Sequence, residues 1–278
     1  MKNQNLSGCP GRTATEERRK GKAMYIYHMT NSGLLISTNG VKFLVDGIFS
    51  RNNLFNPLDA ELENGIMDSV GPFAGVDCLL FTHCHEDHYD GTKVKRYLEE
   101  NPNTALILPE DAAFGKDLRE YYRQEERICL LDSQLEYQVF DVKNTTVHLF
   151  RTKHLDYASA ECDVHYSIII EDGNNRVGIA GDIELNDEET KKVFSGKRFD
   201  AVFLNPVVLY RKSWIDNFKS IDAEKKYIYH IPSEDHDRLL YRKMTLYHYS
   251  MMKNKLVNCE LLLNKMQKIT LKRTKKSA

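Results

Sequence analysis

The sequence lacks any apolar run close to the ~20 residues that a membrane-spanning helix requires, and its first residues contain no hydrophobic signal segment. It also lacks internal repeats. Its six cysteines show no closely spaced pairing pattern, so we expect reduced thiols in a cytoplasmic protein with no membrane partner. These cysteines are Cys9, Cys78, Cys84, Cys129, Cys162 and Cys259.

Charge of neither sign dominates, since the formal net charge of the 278 residues is −1. Lysine and arginine are concentrated in residues 1–23 and 253–278, which leaves the span between them acidic. A nucleic-acid groove needs clustered basic side chains. We therefore expect a small-molecule substrate and no nucleic-acid partner.

The 41% hydrophobic content is sufficient for the core of one large domain, which we place at residues 24–272. Residues 1–23 have no apolar periodicity and are predicted to be a disordered leader. Residues 273–278 form a basic tail.

The most informative run that is present is FTHCHEDH, from Phe81 to His88, which has the pattern H-x-H-x-D-H. Imidazole nitrogens and carboxylate oxygens are the ligands that zinc and other divalent transition metals prefer. The preceding apolar run from Val76 is typical of a short buried strand, and the apolar spacing after Gly91 is typical of a helix. The run therefore predicts a metal site in the loop between a strand and a helix.

This motif resembles that of the metallo-β-lactamase superfamily of hydrolases, and the compact single-domain layout looks most like the superfamily's lactonase-like and uncharacterised branches. Further matches are the FLVDG run that contains Asp46 and the VGIAGD run that ends at Asp182. The resemblance implies seven ligands for two divalent metal ions, with zinc favoured over manganese or iron. His83, His85 and His154 would hold one ion, Asp87, His88 and His230 would hold the other, and Asp182 would bridge them.

The other candidate ligands are weaker. His148 and His165 lie inside strand-like runs and are interpreted as ordinary core or surface residues. His236 is the rival of His230, and His28 could face the site from behind the ligands. Cys84 alternates with the two histidines beside it, and so is predicted to be a packed thiol.

The secondary-structure pattern is one of many short strands with interspersed helices, including helices predicted over 110–122, 187–194, 212–225 and 235–252. Such a pattern fits packed sheets flanked by helices. The resemblance makes this more specific: an α+β protein with an αββα sandwich of two mixed β-sheets flanked by helices, and the metals at one edge.

The implied activity is hydrolysis of a small ester, lactone, thioester or phosphoester by hydroxide made available by the two metals. Asp87 would also orient this nucleophile and act as the catalytic residue. Two alternatives remain: a nucleic-acid or cyclic-nucleotide phosphodiesterase, and a degenerate binding module without metal. Arg211 is a candidate for binding a substrate anion, although a solvated loop is the simpler interpretation.

Overall fold

Short apolar runs assemble into two β-sheets in a computed structural model that describes residues 4–5, 23–52, 54–110, 116–155 and 164–272. The strands of the first sheet are β2 (Met24–His28), β3 (Leu34–Thr38), β4 (Val41–Val45), β5 (Cys78–Leu80), β6 (Ala105–Pro109), β7 (Ile128–Leu131) and β15 (Gln267–Leu271). Their order across the sheet is β15-β2-β3-β4-β5-β6-β7. Strands β15 to β4 pair antiparallel and β4 to β7 pair parallel, so the sheet is mixed.

The second sheet is also mixed. Its strands are β1 (Gln4–Asn5), β8 (Tyr137–Val142), β9 (Thr145–Thr152), β10 (His165–Glu171), β11 (Arg176–Ile179), β12 (Arg198–Leu204), β13 (Asp222–Ile228) and β14 (Cys259–Leu261), and they lie side by side in this order. Strands β8 to β11 pair antiparallel, and β11 to β14 pair parallel.

The core lies between the sheets because alternate strand residues face the opposite sheet. In β3, Leu34 and Ile36 join the cluster between the sheets, while Leu35 packs on the outer face. Helices α1 (Ala60–Met67), α2 (Gly91–Glu100) and α3 (Lys116–Gln124) cover the first sheet. Helices α4 (Glu188–Phe194), α5 (Lys212–Ser220) and α6 (Tyr241–Met252) cover the second. The predicted αββα sandwich is therefore confirmed.

Two predicted helices are too long. The helix predicted over 212–225 ends at Ser220, and residues Asp222–Ile228 form β13, whose pairing with β12 prevails over the helical pattern. The helix predicted over 235–252 begins only at Tyr241, after Leu240 in the left-handed conformation. Helix α1 was not predicted at all.

The ends of the chain lie almost wholly outside the described residues. Within the predicted leader, Gln4–Asn5 pairs in parallel with β8. The predicted disorder of residues 1–23 and the basic tail at 273–278 stay predictions. Among the described residues, no helix is both long enough and apolar enough to cross a membrane.

Candidate metal centre

Residues that follow four strands meet at one edge of the sandwich. The H-x-H-x-D-H loop follows β5 in the first sheet, and α2 begins directly after it, where the Asp90 carboxylate accepts the Thr92 and Lys93 N–H groups. His154 follows β9, Asp182 follows β11 and His230 follows β13, all in the second sheet. The predicted site thus draws its side chains from both sheets.

Three histidines form one half of the cluster. Ligand atoms of His83, His85 and His154 lie within 4.8 Å of one another, and His83 Nε2 is 3.0 Å from His85 Nδ1. The Nδ1–H group of His154 donates to the Leu155 carbonyl at 2.7 Å. This contact leaves His154 Nε2 as an acceptor, and the atom is buried without a hydrogen-bond partner. A buried acceptor of this kind is costly unless something binds it.

Asp87, His88 and His230 form the other half. The Nε2 atoms of His88 and His230 are 2.8 Å apart, and an Asp87 carboxylate oxygen lies 3.3 Å from His230 Nε2. The Asp182 carboxylate lies between the halves, 3.5 Å from His230 Nε2 and 3.7 Å from His88 Nε2. It also forms a third close group with His83 and His88. Asp182 therefore lies close to potential ligands of both halves of the cluster.

Asp46 and Thr82 fix which ring nitrogens face the cluster. The buried Asp46 carboxylate accepts the Thr82 N–H at 2.8 Å, the Thr82 hydroxyl at 2.7 Å and His88 Nδ1–H at 3.0 Å. Because the Thr82 hydroxyl donates to Asp46, it accepts Nδ1–H of His83 at 3.0 Å. Both imidazoles therefore turn Nε2 towards the cluster, as metal-binding histidines do.

A loop after β2 holds the second half in place. His230 has a left-handed backbone with φ of 60°, and its N–H donates to the Asn31 carbonyl at 3.0 Å. The side chains of Asn31 and Ser32 both donate to the Asp87 carbonyl at 3.0 Å. His28 Nε2 lies 3.0 Å from the Asn31 carbonyl, so His28 supports this loop from behind the cluster. Non-glycine residues with this backbone are uncommon and often mark functional sites.

Asp182 is positioned by two residues that the sequence did not single out as functional. The Asn205 side-chain amide donates to the Asp182 carboxylate at 2.6 Å, and the Asp182 N–H donates to His165 Nε2 at 3.0 Å. Gly181 lets these groups approach, since its φ is 67° and a Cβ atom there would lie 2.4 Å from His165 Nε2. Only a contact map would have revealed these roles, because β10 and β12 are distant from Asp182 in sequence.

The charges of the cluster are strongly coupled. Burial and the neighbouring His88 lower the pKa of His83 well below its ordinary value. Burial alone would lower the pKa of His88 as well, but the Asp46 carboxylate raises it well above its ordinary value. Burial alone would raise the pKa of Asp182, but the positive charge of His230 lowers it well below the usual range. The Asp182 carboxylate is therefore ionised and is stabilised by cationic neighbours, a role that divalent metals can also fill.

The structure brings all seven predicted ligands together; that they bind metal stays a prediction. They are His83, His85, Asp87, His88, His154, Asp182 and His230.

His165, which the sequence analysis interpreted as an ordinary core or surface residue, lies in the same region, but its Nε2 lone pair is used by the Asp182 N–H. His236 contacts Ser233 and Asp235 and belongs to none of the close groups found among the described residues. His148 pairs with the Tyr137 hydroxyl at 2.6 Å.

Two other sequence candidates have local roles. Arg211 pairs with Glu184 at 3.3 Å, and its guanidinium group lies over the Trp214 ring. Cys84 packs against the outer core cluster of the first sheet, as predicted. No disulfide joins the four described cysteines, which are Cys78, Cys84, Cys129 and Cys259.

No protein-family model matches the sequence, and no curated protein sequence matches it. Solved structures do match. The chain is similar to Igni18, a metallo hydrolase from the archaeon Ignicoccus hospitalis, with a TM-score of 0.59 and 11% identity over 91% of this chain and 100% of that one. It is similar to the metallo-β-lactamase fold protein YhfI from Bacillus subtilis, with a TM-score of 0.55 and 13% identity over 90% of this chain and 100% of that one.

A third similar structure is that of CmlA, a diiron β-hydroxylase from Streptomyces venezuelae, with a TM-score of 0.57 and 14% identity over 93% of this chain. This chain spans 55% of the length of CmlA. Taken together, the similar structures show that the chain has the metallo-β-lactamase fold, as the sequence resemblance predicted.

Proposed function

We propose that the protein is a metal-dependent hydrolase that acts on a small ester, lactone, thioester or phosphoester. The observation that carries this proposal is the convergence of histidine nitrogens and carboxylate oxygens from both sheets, including a buried His154 Nε2 with no hydrogen-bond partner. Nitrogen and oxygen donors suit zinc, manganese or iron. The residues thus fit a pair of divalent metal ions.

The predicted ligands would divide between two ions in the same way as they divide between the two halves of the cluster. His83, His85 and His154 would hold one, Asp87, His88 and His230 the other, and Asp182 would contact both. Bound divalent metals supply Lewis acidity and lower the pKa of a water molecule towards neutrality. With three side chains and one shared carboxylate per ion, positions remain for water and substrate.

The chain's own contribution is to hold the reacting groups in place. Asp87 is fixed through its carbonyl by Asn31 and Ser32, while its carboxylate points at His230. An ionised carboxylate there can accept a hydrogen bond from a water molecule and orient it for attack. Burial opposes ionisation of Asp87, but the contact with His230 lowers its pKa, so the carboxylate is ionised at neutral pH.

The similarity to CmlA supports a second candidate, an oxygen-dependent diiron enzyme, because the same types of donor also bind iron. Elemental analysis and an activity panel separate the two. We expect purified protein to carry about two divalent ions and, after reconstitution with zinc or manganese, to hydrolyse at least one lactone, thioester or phosphodiester. Activity seen only with iron and oxygen would favour the second candidate, and protein that holds no metal after reconstitution would refute both.

Asp87→Asn provides the matched test of mechanism, because it keeps the size of the side chain and removes its charge. We expect turnover to fall at least ~100-fold, the lower range for loss of one catalytic element. Asp172→Asn is the control, since Asp172 is also a buried aspartate but lies in the turn between β10 and β11. Near-wild-type turnover by Asp87→Asn would refute the role given to Asp87.

A further inference from the structure

A cavity of about 340 Å³ opens beside the metal centre. Its lining includes Arg51, Asn52, Phe55, Glu86, His236 and Arg238. Its volume is at the lower end of the range for small-molecule sites. The cavity is therefore suited to a small metabolite or to one part of a larger one.

Two contacts tie this cavity to the predicted metal ligands. The Phe55 ring lines the cavity and lies 4.1 Å, between ring centroids, from the His230 ring. Glu86 is part of the H-x-H-x-D-H loop, and its carbonyl accepts the Ser50 N–H at 2.7 Å. The segment that carries Arg51 is thus anchored to the loop that carries Asp87. A molecule in the cavity would be separated from the metal centre by about one side chain.

The charge of the lining is unusual for this protein. Arg51 and Arg238 are exposed, and within the described part of the chain no ion pair or hydrogen bond engages either guanidinium group. Other arginines are engaged: Arg211 pairs with Glu184, and Arg127 donates to backbone carbonyls. Glu86 offsets one of the two positive charges, so the lining keeps an excess of positive charge in an otherwise acidic span.

We propose that this cavity binds an oxyanion group of the substrate, a carboxylate or a phosphate, at a distance from the bond that is hydrolysed. The inference rests on the proposed hydrolase function. Guanidinium groups bind such oxyanions with paired, charge-assisted hydrogen bonds. Phe55 offers an apolar surface on which the carbon chain between the anion and the reacting bond can lie. Arg51 and Arg238 are then the residues that select anionic substrates.

The test compares two chromogenic esters of equal length on metal-reconstituted protein: mono-para-nitrophenyl glutarate, which ends in a carboxylate, and para-nitrophenyl pentanoate, which does not. We expect wild type to prefer the charged ester. Arg51→Gln and Arg238→Gln should each lower kcat/KM for that ester about 10-fold through KM, the loss typical of one hydrogen bond to a charged group. Neither should change the rate with the neutral ester.

The control is Arg96→Gln, which removes an exposed arginine on α2 that pairs with Glu100, outside the cavity. It should leave both esters unaffected. Equal losses on the two esters, or no loss on the charged one, would overturn the proposal and leave the hydrolase function standing.

A binding experiment covers the case in which neither ester is hydrolysed. Calorimetric titration of metal-loaded protein with inorganic phosphate and with glutarate should show binding. Arg51→Gln and Arg238→Gln should each weaken this binding at least about 10-fold. The metal content of the variants, measured in parallel, should equal that of wild type. Anions that do not bind, or that bind wild type and variants equally, would overturn the proposal, and the relative affinities tell a phosphate from a carboxylate site.

Discussion

Replacement of Asp46 by asparagine should weaken metal binding even though Asp46 is not itself a predicted ligand. The change is conservative for the backbone, because φ at this position is 46° and asparagine tolerates this left-handed conformation as well as aspartate does. The effect of the substitution therefore reports on the carboxylate alone.

The expected magnitude comes from three hydrogen bonds. The carboxylate accepts the Thr82 N–H, the Thr82 hydroxyl and His88 Nδ1–H at distances of 2.8, 2.7 and 3.0 Å. An amide can keep only its oxygen in this role and must turn its NH₂ group towards at least one donor. Leaving one buried donor unpaired costs about 1–3 kcal/mol, and more when the lost partner is charged. We expect the variant to be less stable by about 2–4 kcal/mol.

The same change removes the contact that fixes the tautomer of His88. Without the carboxylate, the imidazole no longer has to present an Nε2 lone pair to the cluster. Loss of such a supporting contact typically lowers metal affinity about 10–100-fold. Competition with a chromophoric chelator measures this affinity, and urea denaturation in excess chelator measures the stability of the metal-free protein.

Asp172→Asn separates the two effects. Asp172 is buried and accepts the N–H groups of Asn174 and Asn175 at 2.8 and 2.7 Å, so its replacement should also destabilise the fold. It should not alter metal affinity. If Asp46→Asn lost stability but bound metal as tightly as Asp172→Asn, the reasoning about the His88 tautomer would be refuted.

Three further predictions concern other parts of the site. Asp182→Ala should reduce the metal content from about two ions to at most one by elemental analysis; unchanged content would contradict a shared carboxylate. Gly181→Ala should destabilise the protein by about 2–4 kcal/mol in urea denaturation, because it adds an unfavourable left-handed backbone and a contact 2.4 Å from His165 Nε2; a neutral effect would show that the strand end can shift. Burial lowers the pKa of His28 to about 4 from 6.5. Between these two pH values the unfolded chain binds more protons than the folded chain does. The metal-free protein should therefore lose up to about 3 kcal/mol of stability as the pH falls from 6.5 to 4. A His28→Gln variant whose stability depends on pH in the same way would exclude His28 as the cause.

The part of the site that the sequence predicted is the part whose geometry is local. Four ligand candidates lie in six positions, 83–88, after one strand, so no long-range contact is needed to bring them together. His154, Asp182 and His230 were predictable only through the family resemblance, since strand order decides where they meet. The fold was predicted in two similar steps: the strand-like runs predicted β-sheets, and the resemblance predicted that two sheets pack as a sandwich.

The remainder of the site and of the fold depends on contacts between segments that are distant in sequence. Asn205 reaches Asp182 from the end of β12, and His165 reaches it from β10. Nothing in the residues near Asn205 indicates this contact. The cavity likewise joins Arg51 and Arg238, which are far apart in sequence. The end of the helix predicted over 212–225 was wrong for a similar reason, because sheet pairing overrides helical propensity from Asp222 onward.

The predicted ligands are divided between the two sheets, so metal binding as proposed would be linked to the stability of the whole fold. The motif loop that carries His83 to His88 follows β5 of the first sheet, whereas His154, Asp182 and His230 follow strands of the second. Any ion held as proposed would join the sheets, because each half of the cluster contains residues from both. The unfolded chain has no such arrangement, so the free energy of metal binding adds to the free energy of folding. The Asp46 and Thr82 contacts also hold the His88 and His83 rings in place in the metal-free protein. The site is thus organised before a divalent cation binds between the sheets.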